Sequence, residues 1–299
     1  MPLPLSDLHW AVTQYKLRQS PPASRRLRFM ARSLLAWTES RAWYRQVRRL
    51  EITRWAASPA EWLEQVHRPF FDHRLSRREV ARLLVEGAAI EDAALGREIF
   101  RHLLSGTEWV LARFEGRAQS YALTLRKEPR FSKEGTLCLC LRDESGLVIK
   151  RLVFSFAGCQ AGPMLLVGCV QTTDQDPVGT VRRATRDLHA MQPRLLLIEA
   201  LRCLADLTGC TRIRAVSESN HVYESPRYRR RGKMLPSYDA LWELVGGVRS
   251  QDGNFEIPMK VERRTAEEYA SHKRAEYRRR LALLDTICAQ VHAHLKRGE

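Results

Sequence analysis

Gln171 ends the apolar run Leu165–Val170, and Ser217, Glu218, Asn220, His221 and Tyr223 lie at and beyond the end of an alternating run that starts at Arg212. His and Glu side chains take up and return protons, while Gln, Ser and Asn offer donors to a polarised oxygen. Further on, Tyr228 stands among Arg227, Arg229, Arg230, Arg231 and Lys233. An aromatic inside a cation cluster can grip phosphates and stack on a base; a solvated loop is the other reading. His67, Asp72 and His73 are ligand-type side chains with nothing else to support a metal site. Cys138 and Cys140 sit two apart on one strand face, but the seven cysteines lack paired spacing. Buried thiols account for them, and no metal is expected.

These side chains must be positioned by the stretch from Met164 to Tyr223. It reads as strand, polar loop, helix, tight turn, helix, strand, polar loop. Pro177 opens the first helix and Pro193 the second, where a missing N–H costs nothing. The second helix places Leu196, Leu197, Ala200, Leu201, Leu204 and Ala205 on one face, and Gly209 closes it. In a parallel α/β arrangement, side chains just past the carboxyl ends of strands line the ligand crevice. The candidate site is therefore expected there.

The rest of the chain divides into two parts. Residues 1–110 read as a helical N-terminal region, with Trp10, Trp37, Trp43 and Trp55 in its first sixty positions. The stretch from Ser24 to Ile52 is basic and amphipathic. It suits a membrane surface, a phosphate-backbone footprint or a docked helix with a solvated face. Ser76 with Glu79 has capping-box spacing. From Tyr121 the period changes to strands: YALTLR, TLCLCLRD and VIKRLVFSFAG form an antiparallel meander leading into Met164–Gln171. Tyr238–Val245 reads as a short helix, and the run from Thr265 as one long C-terminal helix. The fold class is α+β: helices first, then a mixed sheet flanked by helices across residues 111–299, then the long helix.

Fifty Lys and Arg oppose thirty-four Asp and Glu, a net charge of +16 and a pI near 10.0. Such an excess favours a polyanionic partner but does not choose among tRNA, an acidic carrier protein and an anionic membrane face. No run is long and apolar enough to span a bilayer, and the N-terminus lacks a secretory pattern. The expectation is a cytoplasmic, reduced protein, with peripheral contact to the inner membrane face as the added reading.

The blocks LVGCVQ, TRDLHAMQPRLLLIEALRCLADLTG, AVSESNHVY, SYDALWELVGG and HKRAEYRRRLALLD resemble the bacterial VirK/YbjX family over about residues 120–290. HRPFF resembles it more weakly. Departures fall at Thr172, where the family has Gly, and at Ala190-Met191-Gln192-Pro193-Arg194. The resemblance implies association with virulence, envelope maintenance and resistance to antimicrobial peptides. A more distant likeness is to GNAT-type N-acyltransferases, whose helix N-terminus binds the donor pyrophosphate. The matching position here is Gln192-Pro193-Arg194, without the usual glycine-rich loop. That likeness implies transfer of an acyl or aminoacyl group from aminoacyl-tRNA or an acyl carrier protein to an amine, with a peptide amine among the candidates, and with no separate cofactor. His221 or Glu218 would serve as base. Gln171, Ser217 and Asn220 would orient the carbonyl or acceptor, and Arg194 and Arg230 would hold anions. Tyr223, Tyr228, Arg229, Lys233 and Gln192 complete the expected substrate contacts. The opposing expectation is a non-catalytic basic protein that binds envelope lipid or nucleic acid.

Overall fold

The computed structural model describes residues 5–16, 21–172, 176–228, 238–262, 265 and 268–296. Its N-terminal part is helical: α1 (Leu5–Lys16), α2 (Ala23–Leu35), α3 (Trp37–Arg49), α4 (Ile52–Trp55), α5 (Pro59–Gln65), α6 (Arg77–Leu95) and α7 (Arg97–Leu104). Ser76 and Glu79 form the expected capping box, each side chain satisfying the other's orphan N–H at the start of α6. Phe29, Trp43, Tyr44, Val47, Leu63 and Leu84 meet in one core beneath these helices. That core also takes in Ala157, Met164 and Leu166 from the sheet.

The sheet follows as β1 (Trp109–Glu115), β2 (Ser120–Arg126), β3 (Leu137–Asp143), β4 (Val148–Cys159) and β5 (Gly162–Thr172). Each pairs antiparallel with the next. The chain then crosses over through α8 (Pro177–Asp187) and α9 (Pro193–Leu207) to β6 (Arg212–Ala215), which lies parallel to β5. After α10 (Tyr238–Leu244), β7 (Val248–Arg249) and β8 (Phe255–Ile257) complete an eight-stranded mixed sheet in the order β1-β2-β3-β4-β5-β6-β8-β7. The meander and the crossover match the sequence reading. β1, β7 and β8 do not feature in it: β7 and β8 are too short to show a period, and Trp109–Glu115 alternates poorly.

α11 (Ser271–Lys296) is the long C-terminal helix, and it packs on β1 and α9. It begins later than expected. Thr265 does receive Glu268, through its N–H and hydroxyl, but in a turn ahead of the helix. A disulfide joins Cys203 of α9 to Cys288 of α11, so two of the cysteines read as thiols are paired. On α9, Leu196, Leu197, Leu201 and Leu204 are fully buried. Each such leucine contributes about 2 kcal/mol of burial, and Gly209 (φ 67°) ends the helix in the left-handed region as expected.

The register assigns side chains to faces. Lys150 pairs with Thr172, and Arg151 with Gln171. Strand neighbours point to opposite faces, so Lys150 and Thr172 lie under α8 and α9 while Gln171 lies on the other side.

Candidate functional site

β5 and β6 pair only from Met164–Val167 to Arg212–Ala215, extended by one bond from the Val216 N–H to the Val167 carbonyl. Beyond Val167 the strands part. β5 carries one extra residue here, because Val153 faces Cys169 while Phe154 faces Val167. That residue is Gly168, over which the 127–136 loop crosses so closely that a Cβ would lie 1.8 Å from the Glu134 carbonyl oxygen. Segments 67–74, 127–136 and 217–228 converge at this gap. The Phe71 N–H donates to the Lys133 carbonyl (2.7 Å), and the His73 N–H to the Asn220 carbonyl (2.9 Å).

His221 fills the gap. Its ring is fully enclosed, with Nε2 3.1 Å from the Gly168 carbonyl and Nδ1 3.3 Å from the Tyr223 N–H that it accepts. Those partners set the tautomer with the proton on Nε2. Burial pushes the imidazole down to about 4, the Gly168 bond opposing and Lys133 assisting. The Glu134 carboxylate, 3.5 Å from Nε2, also favours the charged form, but desolvation outweighs it. The ring is therefore neutral at pH 7 with its lone pair committed to backbone. The expected role of His221 as general base is corrected: it pins the splayed strands.

Glu218 also serves the fold. Its Oε1 accepts from the Asp239 N–H (3.2 Å), and its own N–H donates to Asp239 Oδ1 (2.9 Å), a reciprocal cap at the start of α10. One of its two carboxylate oxygens is thereby engaged at the helix end, and the residue is partly exposed. Ser217 and Asn220 belong to a buried knot. Asn254 Oδ1 accepts from the Ser217 N–H and from Asn220 Nδ2, while Asn254 Nδ2 donates to Asp72. Asp72 takes three hydrogen bonds from Arg74, which with Asn254 hold its carboxyl below the usual range despite burial. Gln171 Nε2 donates to the Tyr238 hydroxyl (3.1 Å). The Tyr223 hydroxyl accepts from Lys133 Nζ (2.8 Å), which also sits over the rings of Tyr223 and Tyr228. Tyr228 is only 8% exposed. The expectation that it stacks on a substrate base is thus corrected, since its faces already meet Lys133, Arg227 and Tyr223. Arg229, Arg230 and Lys233 lie outside the described residues.

Gln192 and Arg194 lie elsewhere, on the α8–α9 side of the sheet. With Lys150, Thr172, Pro177, Val178, Arg182, Thr185, Arg186 and Pro193 they line an open groove of about 540 Å³ at the N-terminus of α9. Arg194 Nε donates to Gln192 Oε1 (2.9 Å), and Gln192 is the N-cap without a side-chain cap bond. Lys150 donates to the Thr172 hydroxyl. Burial, aided by the Arg194 charge, pushes its ammonium down to about 8. Three arginines and a perturbed lysine thus gather in the groove; at the helix start Pro193 has no N–H, and the Leu195 and Leu196 N–H groups donate to the Gln192 carbonyl. The site expected as one unit is thus two: a packed polar plug of Gln171, Ser217, Glu218, Asn220, His221, Tyr223 and Tyr228, and a basic groove on the opposite face.

Lys150, Arg182 and Arg186 are absent from the sequence reading. The available signal was the Lys150-Arg151 doublet inside an apolar strand, where alternation must bury one of the two cations beneath a helix. Glu128, Cys138 and Cys140 gather within 4.8 Å of one another. However, Glu128 is engaged by Arg130 and Arg151, and a cation there would face Arg151. His67, Asp72 and His73 form no such group among the described residues. No helix among the described residues is long and apolar enough to cross a membrane.

A family model described as "Protein of unknown function (DUF535)" matches residues 18–293. The protein named "Uncharacterized protein YbjX" from Escherichia coli (strain K12) is 30% identical over 274 residues, 89% of this chain and 82% of its own. An "Uncharacterized protein" of Haemophilus influenzae is 25% identical over 223 residues, 74% of this chain and 73% of its own. No solved structure matches.

Proposed function

The chain belongs to the DUF535 family, and for this member we propose a transferase that moves an acyl or aminoacyl group from a large acidic donor to an amine. The observation that carries the reading is the groove at the α9 N-terminus, with Lys150 poised near pH 8 beside Arg194. Arg182, Arg186 and Arg194 hold the donor's phosphates, at the positive end of the α9 dipole. An open groove suits a donor carried on RNA or on a carrier protein, since only the end of a large ligand need enter it. The amine nitrogen attacks the donor carbonyl, a C–N bond forms, and the ester C–O or thioester C–S bond breaks. The departing hydroxyl or thiol takes a proton. Lys150, neutral in a useful fraction near pH 8, receives the amine proton and returns one to the leaving group. Thr172 holds its Nζ in place.

The test is transfer from labelled aminoacyl-tRNA and from labelled acyl carrier protein to a peptide amine, with donor binding measured by anisotropy. Expected are amide product that requires Lys150, and donor binding that falls at least about tenfold in R182E/R186E/R194E, in line with loss of several phosphate contacts. Absence of product with both donor classes, or unchanged binding in the reversal variant, overturns the reading.

A further inference from the structure

Helix α2 carries its most regular apolar repeat on the wrong side for a core. Leu27, Met30, Ala31, Leu34 and Leu35 follow the i, i+3, i+4, i+7, i+8 spacing of one helix face. Leu27, Leu34 and Leu35 are 65%, 53% and 78% exposed. The rotation of the helix is set by its other face. Phe29 stacks on Tyr15 with ring centroids 4.3 Å apart, and the Ser33 hydroxyl lies 2.6 Å from that of Tyr44. With Phe29 and Ser33 inward, the leucines stand outward. Arg26 borders the ridge on one side, and Arg28 and Arg32 on the other.

We propose that α2 is a docking helix that lays this ridge into the surface of an anionic lipid bilayer. An outward apolar stripe between rows of arginine is the pattern of a helix lying in the membrane interface, with leucines reaching the acyl boundary and guanidinium groups at the headgroups. Charge selects the occupant, because cations on both flanks match an anionic leaflet. A second copy of the chain would bring like charges against these flanks. A stable dimer also buries about 800 Å² per partner, more than one convex ridge of about 20 Å supplies. The groove at α9 plays no part in this contact.

The full chain is sedimented with phosphatidylglycerol–phosphatidylethanolamine vesicles and, separately, with phosphatidylcholine vesicles. Expected is sedimentation with the anionic vesicles alone, weakened several-fold at about 0.5 M salt. L27S/L34S/L35S should bind at least about tenfold less, since each serine removes buried apolar area, and R26E/R28E/R32E likewise. These positions are at the surface, so circular dichroism should match the unchanged chain. The groove variant R182E/R186E/R194E should still sediment. The proposal is overturned if the anionic vesicles fail to carry the protein down, if the serine variant sediments like the parent, or if the groove variant alone loses binding. It is also overturned if the parent elutes as a dimer that the serine variant dissolves, which would assign the ridge to a second copy.

Discussion

Replacing His221 by Gln should flatten part of the acid side of the stability profile. The imidazole goes from an ordinary 6.5 in the unfolded chain to about 4 in the fold. Between those values the unfolded chain binds a proton that the folded protein refuses, so stability falls as pH drops from 6.5 towards 4. Each unit is 1.36 kcal/mol, and integrating from pH 7 to pH 5 yields about 2 kcal/mol for this ring. His67 is pushed to about 4 as well, by burial and by Arg32, and adds about the same. Urea unfolding of the parent should therefore lose about 4 kcal/mol over that interval from these two rings, with other groups titrating on top. His221→Gln should lose about 2 kcal/mol less over the interval while starting about 1–2 kcal/mol lower at pH 7, because the Tyr223 N–H is left without its acceptor. His67→Gln is the independent counterpart. If His221→Gln shows the parent's slope, the ring is not held neutral. A steeper slope would mean that Glu134, 3.5 Å away, keeps it charged.

Lys150 carries the opposite sign. An anion in the groove stabilises the ammonium, so affinity for a phosphate-bearing probe should hold below about pH 8 and decline up to about tenfold per unit above it. Lys150→Met should bind more weakly and lose that dependence; isothermal titration at several pH values reads both, and a retained slope would rule Lys150 out. Glu91 and Lys127 form a fully buried pair, with the Thr136 hydroxyl on the second carboxylate oxygen. Glu91→Leu alone should cost about 3–5 kcal/mol by stranding the ammonium, whereas Glu91→Leu with Lys127→Met should recover much of it; thermal unfolding of the three variants decides. Gly168→Ala should destabilise by about 3 kcal/mol or more, since its methyl would overlap the Glu134 carbonyl. A Tm within a degree or two of the parent would show that the 127–136 loop is not held there.

Periodicity and local punctuation made most of the frame legible in the chain. α8 and α9 begin at Pro177 and Pro193, α6 at its Ser76–Glu79 box, and α9 ends at Gly209, because caps, prolines and apolar spacing act within a few residues. The family likeness was legible for the same reason, being carried by contiguous blocks. What each polar side chain does was not. Side chains gathered behind two strands look like a site, yet His221 is bonded to Gly168 and Tyr223, Glu218 to Asp239, and Ser217 and Asn220 to Asn254. Apart from Tyr223, two residues along the chain, those partners come from β5, α10 and the segment before β8, and only folding brings them together. Gln171 and Thr172 are adjacent in sequence, but the pleat sends them to opposite faces. That separation put the basic groove of Lys150, Arg186 and Arg194 on one side of the sheet and the plug on the other. Likewise, the basic amphipathic character of residues 24–52 was legible, but only packing turned Phe29 and Ser33 of α2 inward and left Leu27, Leu34 and Leu35 facing outward. Spacing defines which residues share a face; tertiary packing alone determines where that face points.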